Sequence, residues 1–328
     1  MLIALAFLAI ADLIVGVSND AVNFLNSAIG SKVVSFKTIM IVASIGVAIG
    51  AIFSSGLMEV ARKGIFNPEQ FMFNEIIIVF MAVMITDILL LDFFNTLGLP
   101  TSTTVSIVFE LLGAAVAMAL IKIYSANGQI TDVVQYINTS KATEIIIGIV
   151  ASVIIAFSIG AIVQWISRLL LSYDFDNKTN WVGAVFGGLA LSAITYFIFM
   201  KGIKGTPYAN ESFNLIGNIT IKELLEKRVV EIVIISTVFW FIVSFLIMTI
   251  LKTNIYKLII LVGTFALALA FAGNDLVNFI GVPIAAYQSF QEWVSSGVAA
   301  QDFNMSVLAE PVETPTLLPV SYTHLRAH

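Results

Sequence analysis

Asn19-Asp20-Ala21-Val22-Asn23-Phe24 stands near the start of the chain and returns, with one change, as Asn274-Asp275-Leu276-Val277-Asn278-Phe279. Each copy follows an apolar run long enough to sit in a lipid bilayer. A carboxylate flanked by two carboxamides is costly to bury at membrane depth, where such groups face protein or a water-filled cavity. A single phrase of this kind is equally well explained as polar glue between helices. Two matching phrases with a central Asp point instead to internal repeats with an ion site where they meet.

The composition agrees. Hydrophobic residues form 59% of the 328-residue chain and charged residues 11%, with mean hydropathy +0.99. A soluble domain carries roughly a quarter charged residues, so this is an all-α polytopic membrane protein with the lipid bilayer as its surroundings. A net charge of −5 and the lack of a basic cluster argue against nucleic acid as a partner. No cysteine is present, which excludes disulfides and thiolate metal sites. The first lysine is Lys32, so the opening apolar run lacks a basic leader and reads as a retained span, not a signal peptide.

Runs of roughly 20 apolar residues predict about eight spans: Leu2–Val17, Ile39–Val60, Ile76–Leu91, Thr104–Ile121, Ile145–Ile166, Trp181–Met200, Glu231–Leu251 and Leu258–Ala272. Leu276–Phe290 reads as the second half of a broken span. Eight single spans place the two phrases in antiparallel segments, as inverted repeats do. The chain then divides into a first repeat with connecting spans (1–253), the start of a second repeat (254–318), and a non-native tail (319–328) holding His324 and His328. The second repeat begins but is not completed. The polar loop at 201–230 carries Lys201, Lys204, Lys222, Lys227 and Arg228, which places it on the cytoplasmic side.

Around the first phrase, Asp20 offers an ionised oxygen, and Asn19, Asn23 and Asn26 offer amide oxygens at helical steps of three and four. Hard cations such as sodium take such oxygens, together with carbonyls freed where a helix unwinds. Gly16 and Gly30 beside the first phrase, and Gly273, Gly281 and Pro283 beside the second, would permit irregular backbone there. A second constellation is Gly98-Leu99-Pro100-Thr101-Ser102-Thr103-Thr104, which leads into an apolar run from Val105. Pro and Ser or Thr suit a helix start. Free amides and hydroxyls at such a start make a neutral pocket for an anion. Alone, the same residues describe an ordinary capped helix.

Together the constellations resemble the inorganic phosphate transporter family, the sodium- or proton-coupled phosphate permeases. Its Gly-x-Asn-Asp-x-x-Asn signature is similar to Asn19, Asp20 and Asn23, and again to Gly273, Asn274, Asp275 and Asn278. Its Gly-Leu-Pro-x-Ser-Thr-Thr turn is matched by Gly98 to Thr104, and Glu59 to Ile65 resembles the segment after its second span. The resemblance runs from about residue 1 to about residue 315. Ser18 departs from it mildly, and a second hydroxyl turn is not reached.

The resemblance implies an inverted-repeat secondary transporter with broken helices, importing inorganic phosphate by symport with sodium or a proton across the plasma (inner) membrane of a bacterium. Thr101, Ser102, Thr103 and Thr104 would hold phosphate. Asp20, Asn19, Asn23, Asp275, Asn274 and Asn278 would hold the cation, with Asp20 and Asp275 as sodium ligands. No cofactor beyond the coupling ion is implied, and a homodimer stays open. Rival readings are a permease for another oxyanion such as sulfate, or a non-transporting membrane subunit or fragment. The body of the chain holds no His, no Cys and no nucleophile–base pair, so an enzyme is not expected.

Other acids rank second. Glu59 precedes Arg62 and Lys63 by three and four residues, which reads as helical ion pairing, while the resemblance gives it a part in coupling. Asp87 and Asp92 approach the Gly98 turn and are candidates for the cavity. Asp12 has no partner nearby in sequence, and Glu110, in an otherwise apolar span, is expected to face protein.

Overall fold

In hydrocarbon every backbone amide and carbonyl must be paired within its own segment, and the apolar runs are accordingly helices. The computed structural model describes residues 1–52, 64–171, 180–203, 212–213 and 219–309. Glu59 with Arg62 and Lys63, parts of the 201–230 loop, and the 319–328 tail lie outside the described residues. The helices are α1 (Leu2–Ser31), α2 (Phe36–Ile52), α3 (Phe73–Leu97), α4 (Thr103–Ser125), α5 (Val133–Tyr136), α6 (Thr139–Leu171), α7 (Asn180–Ile203), α8 (Ile221–Lys227), α9 (Val229–Thr249), α10 (Ile255–Asn274) and α11 (Leu276–Ser296). Two-residue strands, β1 (Ser212–Phe213) and β2 (Ile219–Thr220), pair antiparallel ahead of α8. Seven helical stretches are long and apolar enough to cross a membrane, counting α10 and α11 together, and α2 is a shorter apolar helix. The chain is an all-α, multi-pass integral membrane protein.

The predicted first span is too short. Leu2–Val17 is only the first half of α1, which continues unbroken through Asn19 and Asp20 to Ser31. The reason lies in its buried stripe. Leu5, Asp12, Gly16, Asn19, Asp20, Phe24 and Ala28 recur at helical steps, so one face carries the polar phrase while the backbone stays helical. Gly16 therefore breaks nothing. It makes room for the ring of Phe279, which a methyl at this position would overlap. At the second phrase α10 ends at Asn274 and α11 begins at Leu276, while Asp275 between them keeps right-handed helical dihedrals and makes no side-chain cap bond. Pro283 lies inside α11 and has no amide to offer the preceding turn.

The described residues form two compact units with interleaved segments: Met1–Val22, Ser55–Val150 and Asn274–His328 in the first, Asn23–Ser54 and Ala151–Gly273 in the second. In the first unit α3 and α4 form a helical hairpin. Its core joins Phe80, Val83 and Met84 of α3, Leu111 and Ala115 of α4, and Val282, Ala285 and Ala286 of α11. In lipid such packing contributes dispersion contacts more than dehydration. A polar clamp closes one end of the hairpin. Lys122 Nζ donates to Glu75 Oε2 at 2.7 Å and to the Gln70 carbonyl at 2.8 Å, and lies over the rings of Phe71 and Tyr136. Glu75 in turn accepts the Met72 amide at the start of α3.

The second unit is built on close helix approach. Gly187 and Gly188 of α7 face Ser244 and the Phe241 backbone of α9. Gly46 and Gly50 of α2, one turn apart, face the Phe265 and Leu269 carbonyls of α10. Small residues spaced by four allow such approach in membranes.

Candidate functional site

The hydroxyl turn is shaped by its two helix ends. Helix α3 stops at Gly98, whose φ of +68° suits glycine alone without strain. The Gly98 and Leu99 amides return to the Asn95 and Phe94 carbonyls at 3.0 and 2.9 Å. Ser102 then caps α4: its side chain accepts the Val105 amide, and its carbonyl accepts the Ser106 amide at 3.0 Å. The amides of Thr103 and Thr104 belong to the first turn, where helix geometry supplies no intrahelical acceptor.

Asn19 fixes this turn in place. It is only 4% exposed. Its Oδ1 accepts the Thr101 amide at 2.8 Å, and its Nδ2 donates to Asn95 Oδ1 at 2.8 Å and to the Leu99 carbonyl at 3.1 Å. Asn95 Nδ2 donates in turn to the Val15 carbonyl at 3.0 Å. The first phrase thus grips the turn through 80 residues of intervening sequence, and Asn95 is a partner that sequence reading missed. Its only local signal is its place three residues before Gly98.

Thr104 links the turn to the second phrase. Its Oγ1 donates to Asp275 Oδ1 at 3.1 Å and accepts from Asn278 Nδ2 at 2.9 Å. Asp20, 3% exposed, lies near enough to Asp275 and Asp87 to feel their charges. One region of the first unit therefore gathers Asn19, Asp20, Thr101, Thr103, Thr104, Asp275 and Asn278.

Ser102 is exposed, with its hydroxyl turned to the helix cap. Asn23 is exposed and begins the second unit, and Asn274 is the last residue of α10. Asp92, read as a candidate for the cavity, is exposed, because it lies on the outer side of α3 from buried Asp87 and Leu91. Asp87 is buried at 1% exposure, grouped with Asp12 and Glu110.

The chemistry is mixed by design of the residues. Two carboxylates, Asp20 and Asp275, favour a cation. Hydroxyls and the amides at the start of α4 favour an anion. Among the described residues no group of three or more His, Cys, Asp or Glu is arranged to hold a metal ion. A sodium ion here would instead be held by mixed carboxylate, amide and hydroxyl oxygens, which suit a hard cation.

Fold and site define a multi-pass α-helical membrane protein with ionisable and hydroxyl groups gathered in its interior. The profile of the phosphate transporter family matches residues 16–310, and the chain belongs to that family. It is a family of transporters, not of enzymes. The chain is 26% identical over 196 residues to a protein of Thermococcus kodakarensis named, by inference, a phosphate permease, covering 57% of this chain and 44% of that one. A similarly named protein of Helicobacter pylori is 28% identical over 195 residues, covering 57% of this chain and 33% of that one. The chain thus spans less than half the length of these curated relatives. A solved structure described as the sodium-dependent phosphate transporter matches 94% of this chain and 71% of that one, with a TM-score of 0.68 at 16% identity, so the fold is shared.

Proposed function

We propose that this chain carries the ion-binding core of a permease that imports inorganic phosphate by symport with sodium or a proton across the plasma membrane of a bacterium. The observation that carries this reading is Thr104, whose hydroxyl ties Asp275 and Asn278 to the turn gripped by Asn19. Thr101 and Thr103, with Ser102 at the cap and the first amides of α4, are the phosphate donors, and Thr104, whose one hydroxyl proton lies on Asp275, joins them through its amide. Asp20 and Asp275 hold the cation, with Asn278 as a further oxygen donor. Asn19 acts mainly by positioning, since its carboxamide is already bonded to the turn.

Coupling follows from charge. Two like charges 4 Å apart repel by about 4 kcal/mol at an effective dielectric near 20. A phosphate anion beside Asp20 and Asp275 meets repulsion of that order until a cation neutralises it. Each ion then raises the other's affinity by the same factor, as linkage requires. Neutral donors carry no fixed positive charge, so phosphate can leave once the cation does. The carboxylates also accept a hydrogen bond from the protonated oxygen of monohydrogen phosphate, an oxygen that sulfate lacks.

The test is radiolabelled phosphate uptake into proteoliposomes under an imposed sodium or pH gradient, with sulfate as competitor. Saturable, gradient-dependent uptake that is lost in Thr104→Val and Asp275→Asn is expected. Cation-dependent uptake that survives Asp20→Asn or Asp275→Asn would sink the assignment.

A further inference from the structure

Three buried acids have no task in the site above. Asp12 of α1, Asp87 of α3 and Glu110 of α4 meet inside the first unit. Asp12 is 0% exposed and Asp87 1%. Asp87 is the middle member, its carboxyl within hydrogen-bonding reach of Asp12 on one side and Glu110 on the other, whereas Asp12 and Glu110 meet only through charge. Apart from one another, both Asp12 oxygens, Asp87 Oδ1 and both Glu110 oxygens meet no donor among the described residues. Asp12 is thus a fully buried polar side chain without a donor, aimed at the other acids. The ion pairs of the described residues all lie elsewhere.

Carboxyl groups in hydrogen-bonding contact need a proton or a cation between them, because two carboxylates have only acceptors to offer. Leaving all three charged in a low-dielectric interior is prohibitive. A cation would need oxygens converging on one point. The three acids are not so arranged. They pair in sequence through Asp87, as groups sharing protons do. A groove of 610 Å³ runs beside Glu110, whose carboxyl oxygens stay buried. Its lining includes Glu110, Ser106 and Thr86, together with Thr101 of the hydroxyl turn.

We infer that Asp12, Asp87 and Glu110 form a shared proton site apart from the phosphate ligands of the turn. Its neighbours can be named element by element. Helix α1 adds Asp20. Helix α3 adds Glu75, which is held by Lys122, and exposed Asp92. Helix α4 adds Lys122 and Tyr124 near its far end. Helix α11, packed on α3 and α4, adds Asp275 at its start and Tyr287 and Glu292 farther along. The link to the ion site is Asp87, whose charge acts on Asp20. Loading the line with protons removes negative charge near Asp20, so it weakens cation binding there. Only this consequence rests on the permease reading.

The test is carbodiimide labelling of the full chain in lipid vesicles free of sodium and phosphate, with adducts located by mass spectrometry. Carbodiimides attack protonated carboxyls in apolar surroundings. An adduct at Glu110 or Asp87 at neutral pH, absent at exposed Asp92 and lost as pH is raised, is expected. Asp87→Asn should shift that loss on the Glu110 adduct to a different pH, because a shared proton depends on its neighbour. The infrared band of protonated carboxyls, read on the unsubstituted chain, checks the same occupancy without a variant. No adduct on any of the three and no such band would overturn the proposal, as would a Glu110 adduct whose pH dependence ignores Asp87→Asn. Labelling that persists where phosphate uptake is absent would count against the permease reading alone.

Discussion

Asn19→Ala is the substitution whose effect the geometry defines most fully. It removes one acceptor from the Thr101 amide and two donor contacts, to Asn95 Oδ1 and the Leu99 carbonyl, at a position 4% exposed. Bonds of this kind contribute about 0.6–1 kcal/mol each in membrane and soluble proteins. The two bonds that reach the turn, to the Leu99 carbonyl and the Thr101 amide, hold it by about 1–2 kcal/mol, since each is formed only when the turn is seated. A factor of ten accompanies each ~1.4 kcal/mol. Opening of the turn should therefore become about 5- to 30-fold more frequent. Hydrogen exchange measured by mass spectrometry on the chain in nanodiscs reads this at the Thr101 amide. Exchange in the α3–α4 core should stay unchanged, because the packing of Phe80 and Leu111 is untouched. Asn95→Ala should accelerate the same amide by less, because the Asn19–Thr101 bond survives. Unaltered protection of Thr101 in Asn19→Ala would refute the reasoning.

Three further outcomes are expected. Gly16→Val should lower thermal stability in detergent by about 1–3 kcal/mol through overlap with the buried Phe279 ring, and unchanged stability would show that the ring has room to move. Lys122→Met should loosen the start of α3 by about 1 kcal/mol, since the lost pair with Glu75 is partly buried and partly screened, and exchange of the Glu75 and Ile76 amides measures it. Glu223, beside Lys227 and at the cap of α8 with Thr220, is held below the ordinary glutamate value of 4.5. A depressed carboxyl stabilises above its unfolded value and loses that effect on acidification. Amides of α8 should therefore lose protection as pH falls through and below 4.5, while Glu223→Gln removes the trend; a trend that persists in Glu223→Gln assigns it to another group.

Much of the fold was legible because membrane depth enforces it. Apolar length alone locates α4, α7 and α9 to within a few residues, and it finds α3 and α6 but stops short of the end of α3 at Leu97 and of both ends of α6 at Thr139 and Leu171. The candidate site was legible where chemistry is local, in the Asn-Asp phrases and the turn from Gly98 to Thr104, which the fold brings together through Asn19 and Thr104. What stayed hidden are contacts between distant segments. Nothing in sequence ties Asn95 to Val15, or gathers Asp12, Asp87 and Glu110 from three helices. Periodicity did carry one unused sign. Asp12 and Asn19 lie seven residues apart on the same buried stripe of α1. Gly16 misled for a physical reason: a glycine that admits an aromatic ring and one that breaks a helix look alike in sequence.

The central claim is that the hydroxyl turn and the second phrase bind phosphate and cation as one linked site. Titration of inorganic phosphate into the purified chain in nanodiscs, across sodium concentration and pH, tests it most directly. The account predicts a phosphate affinity that rises with sodium or with protons, a cation affinity that rises by the same factor with phosphate, and a factor that collapses to one in Thr104→Val. Phosphate binding that ignores both cations, or linkage that survives Thr104→Val unchanged, would contradict it.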